Sequence, residues 1–173
     1  MKELAIFGST GSIGCSTLNV VRRHRDRFAV SILAAGRNLQ RLIEQIREFT
    51  PRHVYIIGEK DAAVLKALFP GLDIYRGEDG MDKVSRLTDF DIGVSALVGV
   101  AGLRPTWNMI QNGKTVALAK KEVLEAGGRL VMEAARKQGA ALLTVDSEHS
   151  AIMQCLRGEN HGEIERILLT ASG

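Results

Sequence analysis

Two groups of residues in this 173-residue sequence have types and spacings suited to chemistry. Near the start stand Gly8, Gly11 and Gly14, with Ser9, Thr10 and Ser12 between them. Glycine lets backbone N–H groups come close to an anion. A helix beginning among the glycines adds free N–H groups and a favourable dipole. Alternatively, the glycines serve a tight turn and nothing more. Near the end, Asp146-Ser147-Glu148-His149 sets two carboxylates two residues apart. If the segment stays extended, both acids point to one side and Ser147 to the other. Two oxygen donors from one short segment suit a hard divalent ion such as Mg2+ or Mn2+. The same residues also suit a helix start, with an Asp or Ser N-cap and a first-turn Glu. His149 is a ligand, a proton shuttle or a packed ring, and a lone histidine does not decide between them.

Three further stretches carry signals of the same kind. Gly36-Arg37-Asn38 closes the apolar run Phe28 to Ala35. Dinucleotide-binding folds hold a ribose 2′-hydroxyl with an acid at the end of the second strand. Here Arg37 stands with no carboxylate nearby, which suits a 2′-phosphate and favours NADP(H) over NAD(H). The plainer reading is a solvated turn arginine. Lys120-Lys121-Glu122 opens a helix, where a cation is electrostatically unfavourable. That mismatch favours a role for Lys121 against an anionic or phosphorylated ligand over a merely surface one. The small-residue loop from Ala96 to Gly102 is either a place where a cofactor lies against backbone or a close-packed turn.

The elements that must position these residues follow from periodicity. Leu4 to Phe7 is apolar without interruption, as in a strand buried on both faces. Strands are expected at 28–35, 53–57, 72–75, 92–95, 115–119, 140–145 and 164–169. Helices are expected from Ile13 to Arg23, from Leu39 behind an Asn38 cap to Phe49, and over 61–69, 77–87, 103–112 and 122–138. A short one starts at His149 or Ser150 and ends at Leu156. Strands alternating with helices predict a doubly wound α/β fold with a mostly parallel sheet. In such a sheet, ligands bind beyond the carboxyl ends of the strands. Every candidate above falls on that rim.

Bulk composition narrows the field. Hydrophobic residues make up 45% and charged residues 25%, an ordinary globular balance. A net charge of +3 suits phosphorylated ligands but is too weak to argue for nucleic acid, and 5% aromatics disfavour a base-stacking surface. Two cysteines, Cys15 and Cys155, form no metal-type spacing. They point to a reducing, cytoplasmic compartment. No signal peptide is expected before the first strand, and no apolar run is long enough for a bilayer.

The segments Gly8-Ser-Thr-Gly-Ser-Ile-Gly14, Ala34-Ala-Gly-Arg-Asn38, Ala117-Leu-Ala-Lys-Lys-Glu122, Val145-Asp-Ser-Glu-His-Ser-Ala151 and Leu169-Thr-Ala-Ser-Gly173 resemble the 1-deoxy-D-xylulose 5-phosphate reductoisomerase family. The resemblance covers essentially the whole chain. It implies NADPH as cofactor with Mg2+ or Mn2+, a phosphorylated sugar substrate, and a homodimer. The implied reaction is isomerisation and reduction to 2-C-methyl-D-erythritol 4-phosphate, in non-mevalonate isoprenoid biosynthesis. It further implies that Thr10, Gly11, Ser12 and Ile13 hold the pyrophosphate, and that Gly36, Arg37 and Asn38 hold the adenosine end. Lys120 and Glu122 fall on the cofactor side. Lys121, Ser147 and Glu148 are implied as substrate contacts, Asp146 and Glu148 as metal ligands, and Lys121 and Glu148 as catalytic.

The family carries Asn where this chain has Lys120 and Pro where it has Thr144. Family members are more than twice as long. The expected division is a Rossmann-like NADPH domain over 1–146, then the start of an α+β catalytic domain over 147–173. The third metal carboxylate would lie beyond Gly173. NADPH binding with little or no turnover is therefore expected of the 173 residues alone. The rival readings are another NADP-dependent Rossmann oxidoreductase or a non-catalytic NADP-binding module.

Overall fold

The computed structural model describes residues 1–119 and 122–168, without the side chains of Glu122, Glu125, Ala126, Glu148 and His161. Among these residues, seven strands and seven α-helices alternate. They are β1 (Lys2–Phe7), α1 (Ser12–Arg23), β2 (Phe28–Ala35), α2 (Leu39–Phe49), β3 (His53–Ile56), α3 (Glu59–Leu68), β4 (Asp73–Arg76) and α4 (Gly77–Ser85). Then come β5 (Ile92–Ser95), α5 (Leu103–Gln111), β6 (Thr115–Leu118), α6 (Glu122–Gln138), β7 (Leu142–Thr144) and α7 (Ser147–Leu156).

The strands form one sheet in the order β4-β3-β2-β1-β5-β6-β7, every pairing parallel. The chain walks outward from β1 to β4, then returns through α4 to β5 on the other side of β1. Right-handed crossovers in opposite directions put helices on opposite faces. The packing follows that rule. On one face Leu4, Ile6, Leu33, Ala35, Val54 and Ile56 meet Leu18 and Val21 of α1, Leu42 and Ile46 of α2, and Leu65 of α3. On the other face Ala5, Phe7, Ile32, Ala34, Val116 and Leu118 meet Val84 of α4, Met109 and Ile110 of α5, and Val131 and Ala135 of α6. Central β1 contributes to both cores by alternation, which is why its sequence has no polar break from Leu4 on.

One irregularity interrupts the central pairing. Leu4 pairs with Val30 but Ala5 pairs with Ile32, so Ser31 bulges from the ladder. Ser31 is fully buried, and its hydroxyl donates to Asp89 Oδ2 at 3.0 Å. Arg52 Nε donates to the same oxygen at 3.1 Å, and His53 Nε2 lies 3.0 Å from it. This polar knot ties the amino ends of β2 and β3 to the loop before β5.

The expected elements largely form, with three corrections. Residues 164–168 adopt no regular structure, so the expected strand over 164–169 is absent across its described part. Ile167 and Leu168 are exposed and meet no sheet edge to pair with. The helix expected from His149 or Ser150 starts earlier, at Ser147. Within α6, Gly127 leaves helical geometry at φ −144° and ψ 21°, so the helix is kinked there.

Candidate functional site

All seven strands run the same way, so their carboxyl ends share one rim. The glycine turn follows β1, Gly36–Asn38 follows β2, and the 96–102 loop follows β5. Residues 120–122 follow β6, and Asp146 follows β7. Lys120 and Lys121 lie outside the described residues, and the side chains of Glu122 and Glu148 are not described. Three strand spacings separate β1 from β7, about 14 Å along the rim.

The turn after β1 sits where the strand order reverses. Gly8 takes φ +96°, and a Cβ there would stand 2.8 Å from the Ala96 carbonyl oxygen of the neighbouring loop. Glycine is therefore required at this residue on two counts, handedness and space. Gly14 is buried in the first turn of α1. A Cβ on it would overlap the Gly8 carbonyl and come within 2.5 Å of Ser9 Cα. Helix and turn thus touch backbone to backbone. Gly11 caps α1 without a side-chain bond, and the first turn carries no acid. The leading N–H groups of α1 are left for an anion. Gly11 and Ser12 are exposed, and Thr10 and Ile13 half-buried.

Two residues of α2 brace this turn, and neither was singled out from sequence. Gln45, buried at 6% exposure, donates Nε2 to the Ser9 carbonyl at 2.8 Å. Arg41 Nη1 reaches the Thr10 carbonyl at 3.3 Å and lies 3.8 Å from Cys15 Sγ. Their four-residue spacing puts both on one helix face. Gln45 falls among the apolar positions Leu42, Ile46 and Phe49, a signal that was available in the sequence. Beside them, Asn38 Oδ1 accepts the N–H of Arg41 at 3.1 Å, so the expected N-cap forms. Gly36, Arg37 and Asn38 are all exposed at the mouth of the turn.

At β7 the segment does not stay extended. Asp146 is the N-cap of α7, its Oδ1 accepting the His149 N–H at 2.8 Å. Asp is among the strongest N-caps, and here the helix wins over the strand. Asp146 and Glu148 therefore do not share a face by two-residue alternation. His149 Nδ1 lies 2.7 Å from the same Asp146 oxygen. His149 is half-exposed and paired to a carboxylate, not a packed ring. Desolvation pushes the Asp146 carboxyl up, but the His149 N–H and ring outweigh it and hold its pKa below the ordinary value. Among the described residues, no three His, Cys, Asp or Glu side chains converge as a metal centre. A cavity of about 900 Å3 lies nearby between β7 and α7, lined by Leu142, Thr144, His149, Ile152, Met153 and Arg157. The glycine turn and Arg37 do not line it.

Comparison with known proteins places the chain in a family. The family model for 1-deoxy-D-xylulose 5-phosphate reductoisomerase matches residues 4–128, and that for the C-terminal domain of the same enzyme matches 142–173. The reductoisomerase of Pelotomaculum thermopropionicum is 48% identical over 176 residues, and that of Bacillus cereus strain Q1 is 44% identical over 173. Each alignment covers all of this chain but 46% of the relative, so the chain spans about half the length of the proteins it matches. A reductoisomerase crystallised with NADPH, fosmidomycin and magnesium superposes with a TM-score of 0.85 at 36% identity, over 90% of this chain and 39% of the other. The Zymomonas mobilis reductoisomerase in complex with NADPH gives 0.84 at 36% identity, over 93% and 42%. With most of its length inside the first family model, the chain belongs to the 1-deoxy-D-xylulose 5-phosphate reductoisomerase family.

Proposed function

We propose that this chain forms the NADPH-binding part of a 1-deoxy-D-xylulose 5-phosphate reductoisomerase. The whole enzyme would convert that ketose phosphate to 2-C-methyl-D-erythritol 4-phosphate. The observation that carries the reading is the turn from Gly8 to Gly14. It closes backbone to backbone against α1, presents an uncapped and acid-free helix start, and sits where the strand order reverses. NADPH, when bound, supplies the hydride for the reduction. In this proposal the N–H groups of Ser12 and Ile13 face the pyrophosphate beside Thr10 and Gly11, the Gly11 N–H being held by the Gly8 carbonyl at 3.1 Å. Gly36 and Asn38 take the adenosine ribose, and Arg37 takes its 2′-phosphate. Lys120 and Glu122 are assigned to the cofactor side. Lys121, Ser147 and Glu148 are assigned to the phosphorylated sugar, with Lys121 and Glu148 as catalytic groups.

The acids fit a divalent ion only in part. Asp146 is held ionised, yet its Oδ1 is committed to His149. Asp146 and Glu148 are therefore proposed as two carboxylates of the Mg2+ or Mn2+ site in the whole enzyme. The proposed division is a cofactor domain over 1–146 and the beginning of a catalytic domain over 147–173. A homodimer and a cytoplasmic location are proposed with it. No described helix is long and apolar enough to cross a membrane.

The test is titration of the 173-residue chain with NADPH and NADH, followed by intrinsic fluorescence and thermal stability, and then assay with the ketose phosphate and Mn2+. Preferential binding of NADPH without turnover is expected. Absence of NADPH binding would overturn the cofactor reading. Full turnover would overturn the view that this chain holds only part of the catalytic machinery.

A further inference from the structure

We propose that Arg41 is the second arm of the 2′-phosphate site and the residue that couples it to the phosphate turn. The proposal rests on the NADPH reading above and extends it to a residue three positions beyond the segment Ala34–Asn38. Arg41 lies in the first turn of α2, where Asn38 fixes its backbone N–H. Its side chain crosses to the other loop of the site and donates Nη1 to the Thr10 carbonyl at 3.3 Å. One side chain thus spans the loops after β1 and β2, which a dinucleotide must bridge.

Arg41 carries a charge that no described carboxylate balances. Arg22, Arg52, Arg86 and Arg104 are each paired with carboxylates. Arg41 has no carboxylate partner among the described residues, and neither does Arg37 four positions earlier. The first turn of α2 carries no acid, and Glu44 is engaged by Gln40. Two exposed arginines therefore flank the start of α2 with no neutralising charge. Only Nη1 of Arg41 is used, on Thr10 and beside Cys15. Nε and Nη2 have no bond to a described residue and form one edge of a planar fork, the geometry that grips phosphate in a bidentate way. A phosphate monoester on the adenosine ribose supplies the matching anion. A ribose bearing a free 2′-hydroxyl does not.

The experiment compares the unsubstituted chain with Arg41→Met and Arg41→Lys. Each is titrated with NADPH, NADH, 2′,5′-ADP and 5′-ADP, with thermal stability as the folding control. Arg41→Met is expected to weaken NADPH and 2′,5′-ADP by about ten- to a hundredfold, the scale of a lost charge-assisted bond. NADH and 5′-ADP should change less than about threefold. Arg41→Lys, which keeps the charge but not the fork, should fall between. Equal losses for phosphorylated and unphosphorylated nucleotides would overturn the proposal, leaving Arg41 as a brace of the turn only. So would unchanged NADPH binding. If the unsubstituted chain binds neither NADPH nor 2′,5′-ADP, the cofactor reading itself fails and takes this proposal with it. If the unsubstituted chain prefers NADPH and Arg41→Met keeps that preference, only the Arg41 assignment fails.

Discussion

Gly14→Ala tests the central geometry most sharply. In an exposed helix, replacing glycine with alanine gains about 0.8–1 kcal/mol. At Gly14 the new Cβ would overlap the Gly8 carbonyl and stand 2.5 Å from Ser9 Cα and 2.6 Å from Ser9 C. Even the approach to Ser9 is about 0.9 Å closer than an ordinary van der Waals separation of 3.4 Å. These are backbone atoms, so no rotamer change gives relief. Either α1 slides outward or the turn opens, and α1 is held by the fully packed Leu18 and Val21. Overpacking of this kind costs about 1–3 kcal/mol or more, and this case belongs at the upper end. Net of the helix gain, about 2 kcal/mol of stability should be lost. That lowers Tm by about 4–8 °C in a chain of this size. Displacing the helix start also moves the N–H groups proposed to face the pyrophosphate, so on that proposal NADPH binding should weaken at least about tenfold. The control is Gly36→Ala, where a new Cβ meets nothing within 4 Å. It should leave Tm within about 1 °C while still hindering a ribose lying against that backbone. Differential scanning calorimetry and NADPH titration of both variants decide the matter. If Gly14→Ala keeps both its Tm and its NADPH affinity, the close-packed turn is not what holds this site.

Asp89→Asn should remove pH dependence as well as stability. Burial pushes the Asp89 carboxyl up, but bonds from Arg52 and Ser31 and the charge of His53 outweigh it, so its pKa lies below the ordinary value. A depressed carboxylate stabilises the fold above its unfolded pKa of about 3.9, and that contribution fades as pH falls through the lower folded value. The Tm gap between Asp89→Asn and the parent should therefore be constant near pH 6 and close toward pH 3, as measured by thermal melts across that range. A gap unchanged at pH 3 would refute the assignment. Asp146→Ala should cost about 1 kcal/mol of capping energy and speed hydrogen exchange at the start of α7. Asp146→Asn retains a good cap and should exchange like the parent. If it also weakens Mn2+ binding in a full-length reductoisomerase, the charge of Asp146 serves the metal separately from the cap.

The sequence was most informative where one force dominates. Phe28–Ala35 and Ile92–Ser95 form strands over their expected spans, because continuous apolar runs flanked by turn residues leave a buried parallel strand as the economical fold. Leu39–Phe49 and its Asn38 cap were equally legible from apolar spacing and capping chemistry. Competition made Asp146–His149 ambiguous: strand alternation and N-capping both suit those residues, and only three-dimensional context lets the cap win. The segment 164–168 reads as a strand by composition, but a strand exists only with a neighbour to pair with, and no described strand pairs with it. Arg41 and Gln45 escaped notice for another reason. Their partners are backbone carbonyls about thirty residues away, and carbonyls leave no trace in side-chain identity.

The bulge at Ser31 separates two tasks that a strand ordinarily merges. Val30 belongs to one core and Ile32 to the other. Perfect alternation would therefore be restored if Ser31 were deleted and Val30 joined directly to Ile32. The apolar packing of β2 does not require the extra residue. Its hydroxyl answers to Asp89 and Arg52 instead. At this one position the strand carries a spacer that resets the phase of its side chains, so that a polar group enters the interior without displacing any hydrophobic neighbour. A chain lacking Ser31 should keep its sheet and lose one arm of the fastening at the end opposite the glycine turn, leaving Asp89 to Arg52 and His53.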